Sequence, residues 1–153
     1  MTTAKNIYLV GPMGVGKTTI GKALAKSLGL DFVDSDHEIE ERTGVSISTI
    51  FDIEGEDGFR NREIRMIAEL ASRKGIVLAT GGGAVESEEI RKALRHNGLV
   101  IYLHASIEMQ MDRTRNSKNR PLLNTGADRR EILEDLMRER EPLWRQEADV
   151  IYE

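Results

Sequence analysis

Gly11-Pro12-Met13-Gly14-Val15-Gly16-Lys17-Thr18 follows the apolar run Ile7-Tyr8-Leu9-Val10 and opens a helix-like stretch, Thr19 to Leu28. The octet fits the phosphate-binding pattern G-x-x-x-x-G-K-[ST], the P-loop, in the strand-before, helix-after context the pattern requires. Its glycines let backbone N–H groups turn inward around phosphate oxygens, and the helix N-terminus adds partial positive charge. Lys17 is expected to reach the β- and γ-phosphates and the Thr18 hydroxyl to ligate Mg²⁺, with Gly14, Val15, Gly16 and Thr19 completing the site. A plain Gly-rich turn would need neither the Lys-Thr pair nor both flanking elements. The stretch predicts binding of a nucleoside triphosphate.

Outward from this loop, short apolar runs alternate with longer amphipathic ones, the pattern of a parallel sheet covered by helices. Strands are expected near 6–10, 31–34, 76–79, 99–103 and 149–152. Helices are expected near 17–28, 36–43, 47–54, 57–74, 87–96, 106–115 and 129–146, the last opened by a capping box of Asp128 and Glu131. The fold class is therefore α/β, three layers α/β/α around a five-stranded parallel sheet, in a single domain over 1–153.

Composition narrows the function. A net charge of −4 disfavours a general nucleic-acid binder, because affinity for the phosphate backbone rests on basic surface. No apolar run approaches the roughly 18 residues of a membrane span, and Met-Thr-Thr-Ala-Lys has no signal-peptide core, so the cytoplasm is the expected compartment. With no cysteine there is no thiolate chemistry or disulfide. His37, His96 and His104 lack metal-ligand spacing and read as surface or strand-edge residues.

Ile7–Val10 runs into Gly11, Ile76–Ala79 into Thr80 and Leu99–Leu103 into His104, whereas Phe32-Val33 runs into acid, Asp34-Ser35-Asp36. Ligands in open α/β sheets bind at the carboxyl ends of strands, so this pair should face the phosphate loop. In an extended chain the two carboxylates share a side, and one can hold Mg²⁺ while the other binds a hydroxyl. The plainer alternative is that Asp36 caps the next helix.

Two arginines interrupt apolar stripes: Arg60 with Ile64, Ile67, Ala68 and Ala71, and Arg140 with Ile132, Leu133, Leu136, Met137, Leu143 and Trp144. A buried arginine either pairs with an internal acid or binds an anionic ligand, and periodicity alone does not choose between them. Gly81-Gly82-Gly83 directly after a strand permits close approach of backbone to a ligand, or only a mobile turn. The stretch 112–126 contains Arg113, Arg115, Lys118 and Arg120 without an acid from Arg113 to Arg120, and beside a phosphate loop it reads as a lid. Arg120, stiffened by Pro121, is the expected phosphate contact.

In order and spacing the chain resembles shikimate kinase, within the nucleoside-monophosphate-kinase-like P-loop group. The resemblance rests on the loop at 11–18, Asp34-x-Asp36, Gly44-Val45-Ser46-Ile47 with Ile50-Phe51, Gly55-Glu56, and Phe59-Arg60-x-x-Glu63. Gly81-Gly82-Gly83, Arg120-Pro121-Leu122-Leu123 and Arg140-x-Pro142-Leu143 complete it. It implies a P-loop kinase fold with a mobile lid and ATP- and Mg²⁺-dependent phosphorylation of the 3-hydroxyl of shikimate, in aromatic amino acid (chorismate) biosynthesis. It also implies roles by position. Asp36 binds the ring hydroxyls and orients or deprotonates the attacking one; Arg60 and Arg140 grip the carboxylate; Gly81, Gly82 and Gly83 line the acceptor site, walled by Phe51 and Phe59. Lys17 and Arg120 contact phosphates, Thr18 and Asp34 hold Mg²⁺, and Arg113 packs on adenine.

Trp144 stands where the family usually has tyrosine, and is expected in the core. The family's adenine-contacting loop and closing helix beyond the last strand have no counterpart in these 153 residues. The nearest rival is another metabolite kinase of the group, such as a gluconate kinase, which has no reason to keep Asp36, Arg60, the triple glycine and Arg140 together. A catalytically inactive nucleotide-binding homologue is the rival from another class. Family precedent favours a monomer.

Overall fold

The computed structural model describes residues 5–115 and 128–153. Five strands, β1 (Asn6–Val10), β2 (Asp31–Asp34), β3 (Ile76–Ala79), β4 (Gly98–Leu103) and β5 (Val150–Tyr152), form one sheet in the order β2-β3-β1-β4-β5. Every pairing is parallel. The helices are α1 (Lys17–Leu28), α2 (Ser35–Thr43), α3 (Ile47–Ala71), α4 (Glu88–Asn97), α5 (Ile107–Thr114) and α6 (Arg129–Glu147).

Side chains alternate across the sheet, and the two faces build separate cores. Tyr8, Val10, Ile76, Leu78, Val100 and Tyr102 pack with Ile39, Ile67, Leu70, Ile90, Leu94 and Trp144 from α2, α3, α4 and α6. On the opposite face Leu9, Val77 and Leu103 pack with Val15 and with Ala25 of α1. These are the expected three layers, with β1 at the centre delivering the phosphate loop.

One polar side chain is buried within this sheet. Asn6 donates from Nδ2 to the Tyr8 hydroxyl (2.9 Å) and the Arg73 carbonyl (2.6 Å), while its Oδ1 accepts from the Ile76 N–H (3.1 Å). The start of β1 is thereby clamped to the turn that leads into β3.

Several boundaries differ from expectation. The helix expected from residue 36 starts at Ser35, because its cap is Asp34: Oδ1 accepts from the N–H groups of Asp36 (2.9 Å) and His37 (3.2 Å). The helices expected at 47–54 and 57–74 form one element broken at Gly55, whose φ of 75° and ψ of 179° no helix accommodates. It ends at Ala71, where the Ser72 N–H turns back to Glu69 (3.2 Å). A short 3-10 turn, Ala84–Glu86, appears between the triple glycine and α4. Asp128 caps α6 through the Arg130 N–H, and Trp144 is buried, stacked on Tyr102 with ring centroids 5.4 Å apart.

Candidate active site

A cleft of about 510 Å³ opens at the carboxyl end of the sheet, lined by Met13, Gly14, Gly16, Lys17, Thr18 and Thr19 from the loop and α1. Asp34 and Asp36 close one side and Thr80, Gly81 and Gly82 another, with Arg113 reaching in from α5. The α1 N-terminus has no side-chain cap, so its first N–H groups are left for an anionic ligand. Gly11 (φ 146°) permits the turn out of β1: a Cβ there would lie 2.5 Å from the Leu103 carbonyl oxygen. Val15 is buried beneath the loop, so only its backbone is available to phosphate. Lys17 Nζ donates to the carbonyls of Gly11 (2.7 Å) and Pro12 (2.8 Å). Arg113 lies across the loop, its Nη1 2.8 Å from where a Cβ of Gly16 would stand.

Asp34 has two bonding directions. While Oδ1 caps α2, Oδ2 accepts from the Thr18 hydroxyl at 3.0 Å. Asp36, on the first turn of α2, is placed differently. Its Oδ1 is buried without a hydrogen-bond partner, and burial pushes its carboxyl up to about 7. Glu63 and Asp34 push the same way, against Lys17 and Arg60. A carboxyl held near 7 is poised to accept a hydrogen bond or proton at neutral pH. A Cβ on Gly81 would sit 2.8 Å from Glu63 Oε2 and 3.0 and 3.2 Å from the two Asp36 oxygens, so both acids converge on this glycine.

The arginines stand behind the glycine turn rather than on the wall of the cleft. Arg60 Nη1 donates to Glu63 (2.9 Å) and Nη2 to Glu56 (3.3 Å). A Cβ on Gly83 would fall within 2.6 Å of its guanidinium, and one on Gly82 would lie 3.3 Å from Arg140 Nη1. Arg140, 3% exposed, donates from Nε to Glu86 at 3.3 Å. Burial, then the Arg60 charge, holds its pKa below the usual arginine value, with Glu86 opposing. Each arginine thus has an acid partner, Arg60 the buried Glu63 and Arg140 the part-exposed Glu86, and both flank one backbone turn. Phe51 and Phe59 pack on each other (5.1 Å) within the core, and the Arg60 guanidinium lies 5.2 Å from the Phe59 ring centre. Of the expected lid, 112–114 are the last residues of α5 and Arg115 its C-cap, while 116–127, Arg120 among them, fall outside the described residues.

Glu63 is the residue the periodicity did not bring forward. The buried stripe of α3 runs through Phe59, Glu63, Met66, Ile67, Leu70 and Ala71, one residue round from the expected face, and Ala68 is exposed. At 1% exposure Glu63 has one oxygen on Arg60 and the other unpartnered, and burial raises its pKa despite the pull of Arg60 and Arg140. An acid in the middle of an apolar stripe is the signal that would have found it.

The family model described as shikimate kinase matches residues 13–153. A shikimate kinase of Pasteurella multocida (strain Pm70) is 57% identical over 150 residues, covering 98% of this chain and 86% of the relative. Shikimate kinase 1 of Salmonella newport (strain SL254) is 55% identical, with 98% and 87% covered. The solved structure of shikimate kinase from Acinetobacter baumannii in complex with shikimate superposes with a TM-score of 0.96 at 52% identity, covering 99% of this chain and 84% of that one.

Proposed function

The chain belongs to the shikimate kinase family, and from that premise we propose how its residues divide the transfer of a phosphoryl group from ATP to the 3-hydroxyl of shikimate. The observation that carries this reading is the place of Asp36. A buried carboxyl with an unpartnered oxygen lies in the cleft that also holds the phosphate loop, beside a glycine turn flanked by two arginines. An acceptor that combines a hydroxyl with a carboxylate matches that arrangement.

In the proposed assignment, the loop from Gly14 to Thr19 takes the phosphates and Lys17 leaves the loop carbonyls for the β- and γ-oxygens. Arg113, across Gly16, packs on the adenine, and Arg120 adds positive charge at the transferring group. The Asp36 carboxylate orients the attacking hydroxyl and receives its proton late, because the phosphoryl transition state is loose. Arg60 and Arg140 bind the acceptor carboxylate at the Gly81–Gly83 turn, while Phe51 and Phe59 wall that side. Orientation and charge neutralisation then supply the rate.

The donor set at Thr18 and Asp34, a hydroxyl and a carboxylate already 3.0 Å apart, fits Mg²⁺, which prefers few protein oxygens beside substrate phosphates. Among the described residues no cluster of three acids or histidines offers a stronger site. When bound there, Mg²⁺ neutralises charge on the β- and γ-oxygens. No described helix is long and apolar enough to cross a membrane. We read the chain as a cytoplasmic monomer, as its composition and the family precedent favour.

The test is coupled ADP release with ATP, Mg²⁺ and shikimate, using gluconate and AMP as control acceptors. Shikimate-dependent turnover that collapses in Arg140→Ala supports the assignment; turnover with another acceptor alone overturns it.

A further inference from the structure

The acceptor carboxylate, on the reading above, enters a subsite whose cations already have counterions. Arg60 is held by Glu63 and Glu56, and Arg140 by Glu86. Three carboxylates facing two guanidiniums leave no net positive charge for a fourth. One resident acid must therefore give way.

The three acids differ in their freedom to do so. Glu63 is 1% exposed and fixed in the core stripe of α3. Glu56, 50% exposed, is also free to leave, but it serves Arg60, which keeps Glu63, and its departure does nothing for Arg140. Glu86 is 40% exposed, closes the short turn directly after Gly83, and is the acid paired with the 3%-exposed Arg140. It can exchange a buried arginine for water by side-chain rotation alone. Arg140 has no such choice, and needs an anion in either state.

We infer that Glu86 is a resident counterion that the incoming acceptor carboxylate displaces from Arg140, and that it sets acceptor affinity by this competition. Glu86 acts only through Arg140 and is a positioning residue. Its removal leaves Arg140 without its internal partner and raises the reward for binding a carboxylate. The same competition selects for carboxylates, since a neutral acceptor cannot replace the lost ion pair.

The test compares unsubstituted protein with Glu86→Gln, which keeps shape and removes charge at a half-exposed position. Shikimate KM, and Kd by calorimetry without nucleotide, are expected to fall roughly two- to tenfold, with kcat and the KM for ATP unchanged. A shikimate analogue carrying hydroxymethyl in place of the carboxylate should bind the two proteins equally. An unchanged or raised shikimate KM in Glu86→Gln, or an equal gain for the neutral analogue, overturns the inference while leaving the reaction intact. Absence of shikimate turnover in the unsubstituted protein sinks the acceptor assignment itself, and this inference with it.

Discussion

The Thr18 hydroxyl donates directly to Asp34, Oγ1 to Oδ2 at 3.0 Å, while the other oxygen of the same carboxylate caps α2. One side chain thus ties the phosphate loop to the helix that carries Asp36. The two duties can be separated by substitution. Asparagine caps a helix as well as aspartate but has no charge for a metal. Asp34→Asn should keep its Tm and need much more Mg²⁺ for half-maximal activity. Asp34→Ala should show the same Mg²⁺ defect and also lose about 1 kcal/mol of stability. Thermal melts and Mg²⁺ titrations of both variants check this.

Asp36 carries a pH signature of opposite sign in activity and stability. Its ionised form is the useful one, so kcat/KM for shikimate should rise as pH passes through about 7. Its folded pKa lies above the ordinary 3.8, so the stability it contributes is present below about pH 4 and lost as pH climbs to about 7. The loss is on the order of 4 kcal/mol at its upper bound. Asp36→Asn should lower kcat by about 10² or more, yet gain Tm relative to the unsubstituted protein between pH 5 and 8. Paired melts across that range, with a pH–rate profile, provide the measurement.

Glu63→Gln should act on Asp36 at a distance. Removing the Glu63 charge takes away one of the influences that raise the Asp36 pKa, so the acidic limb of the pH profile should move to lower pH. It also removes the ion pair with Arg60, so shikimate KM should rise and stability fall by about 1–3 kcal/mol. A purely structural acid would leave the pH limb where it was.

Gly83→Ala isolates Arg60. The backbone there, φ −89° and ψ −3°, accepts alanine, but the new methyl would stand within 2.6 Å of the guanidinium. The flexible arginine end must move while the fold survives. Shikimate KM should rise about tenfold with the ATP KM unchanged, as steady-state kinetics with each substrate varied would show.

Much of this was legible because it is local. The loop 11–18 and the acid pair at the end of β2 are set by neighbours in sequence, and Arg140 by a plain apolar stripe on α6. Other features depend on which elements meet. On α3 the expected face was counted from Arg60, whereas the buried stripe is seeded one residue earlier at Phe59, so the count passes over Glu63. Glu86 meets Arg140 across 54 residues of chain, and nothing in either segment announces the other. Asp34 as a helix cap was equally hidden, because the same residue type at 36 offered an alternative two residues later.

The Asn6 clamp bears on how the sheet assembles. β1 and β3 are neighbours in space separated by a long, mostly helical stretch, and such non-local pairings form late and at an entropic cost. A slip of one residue between them would also send every side chain to the wrong layer. Asn6 finds an acceptor at Arg73 and a donor at Ile76 together only in the native alignment, and a misaligned sheet would bury its amide unsatisfied. The clamp therefore works as a proofreading contact at the first strand, discouraging a shifted sheet before the phosphate loop has anything to bind.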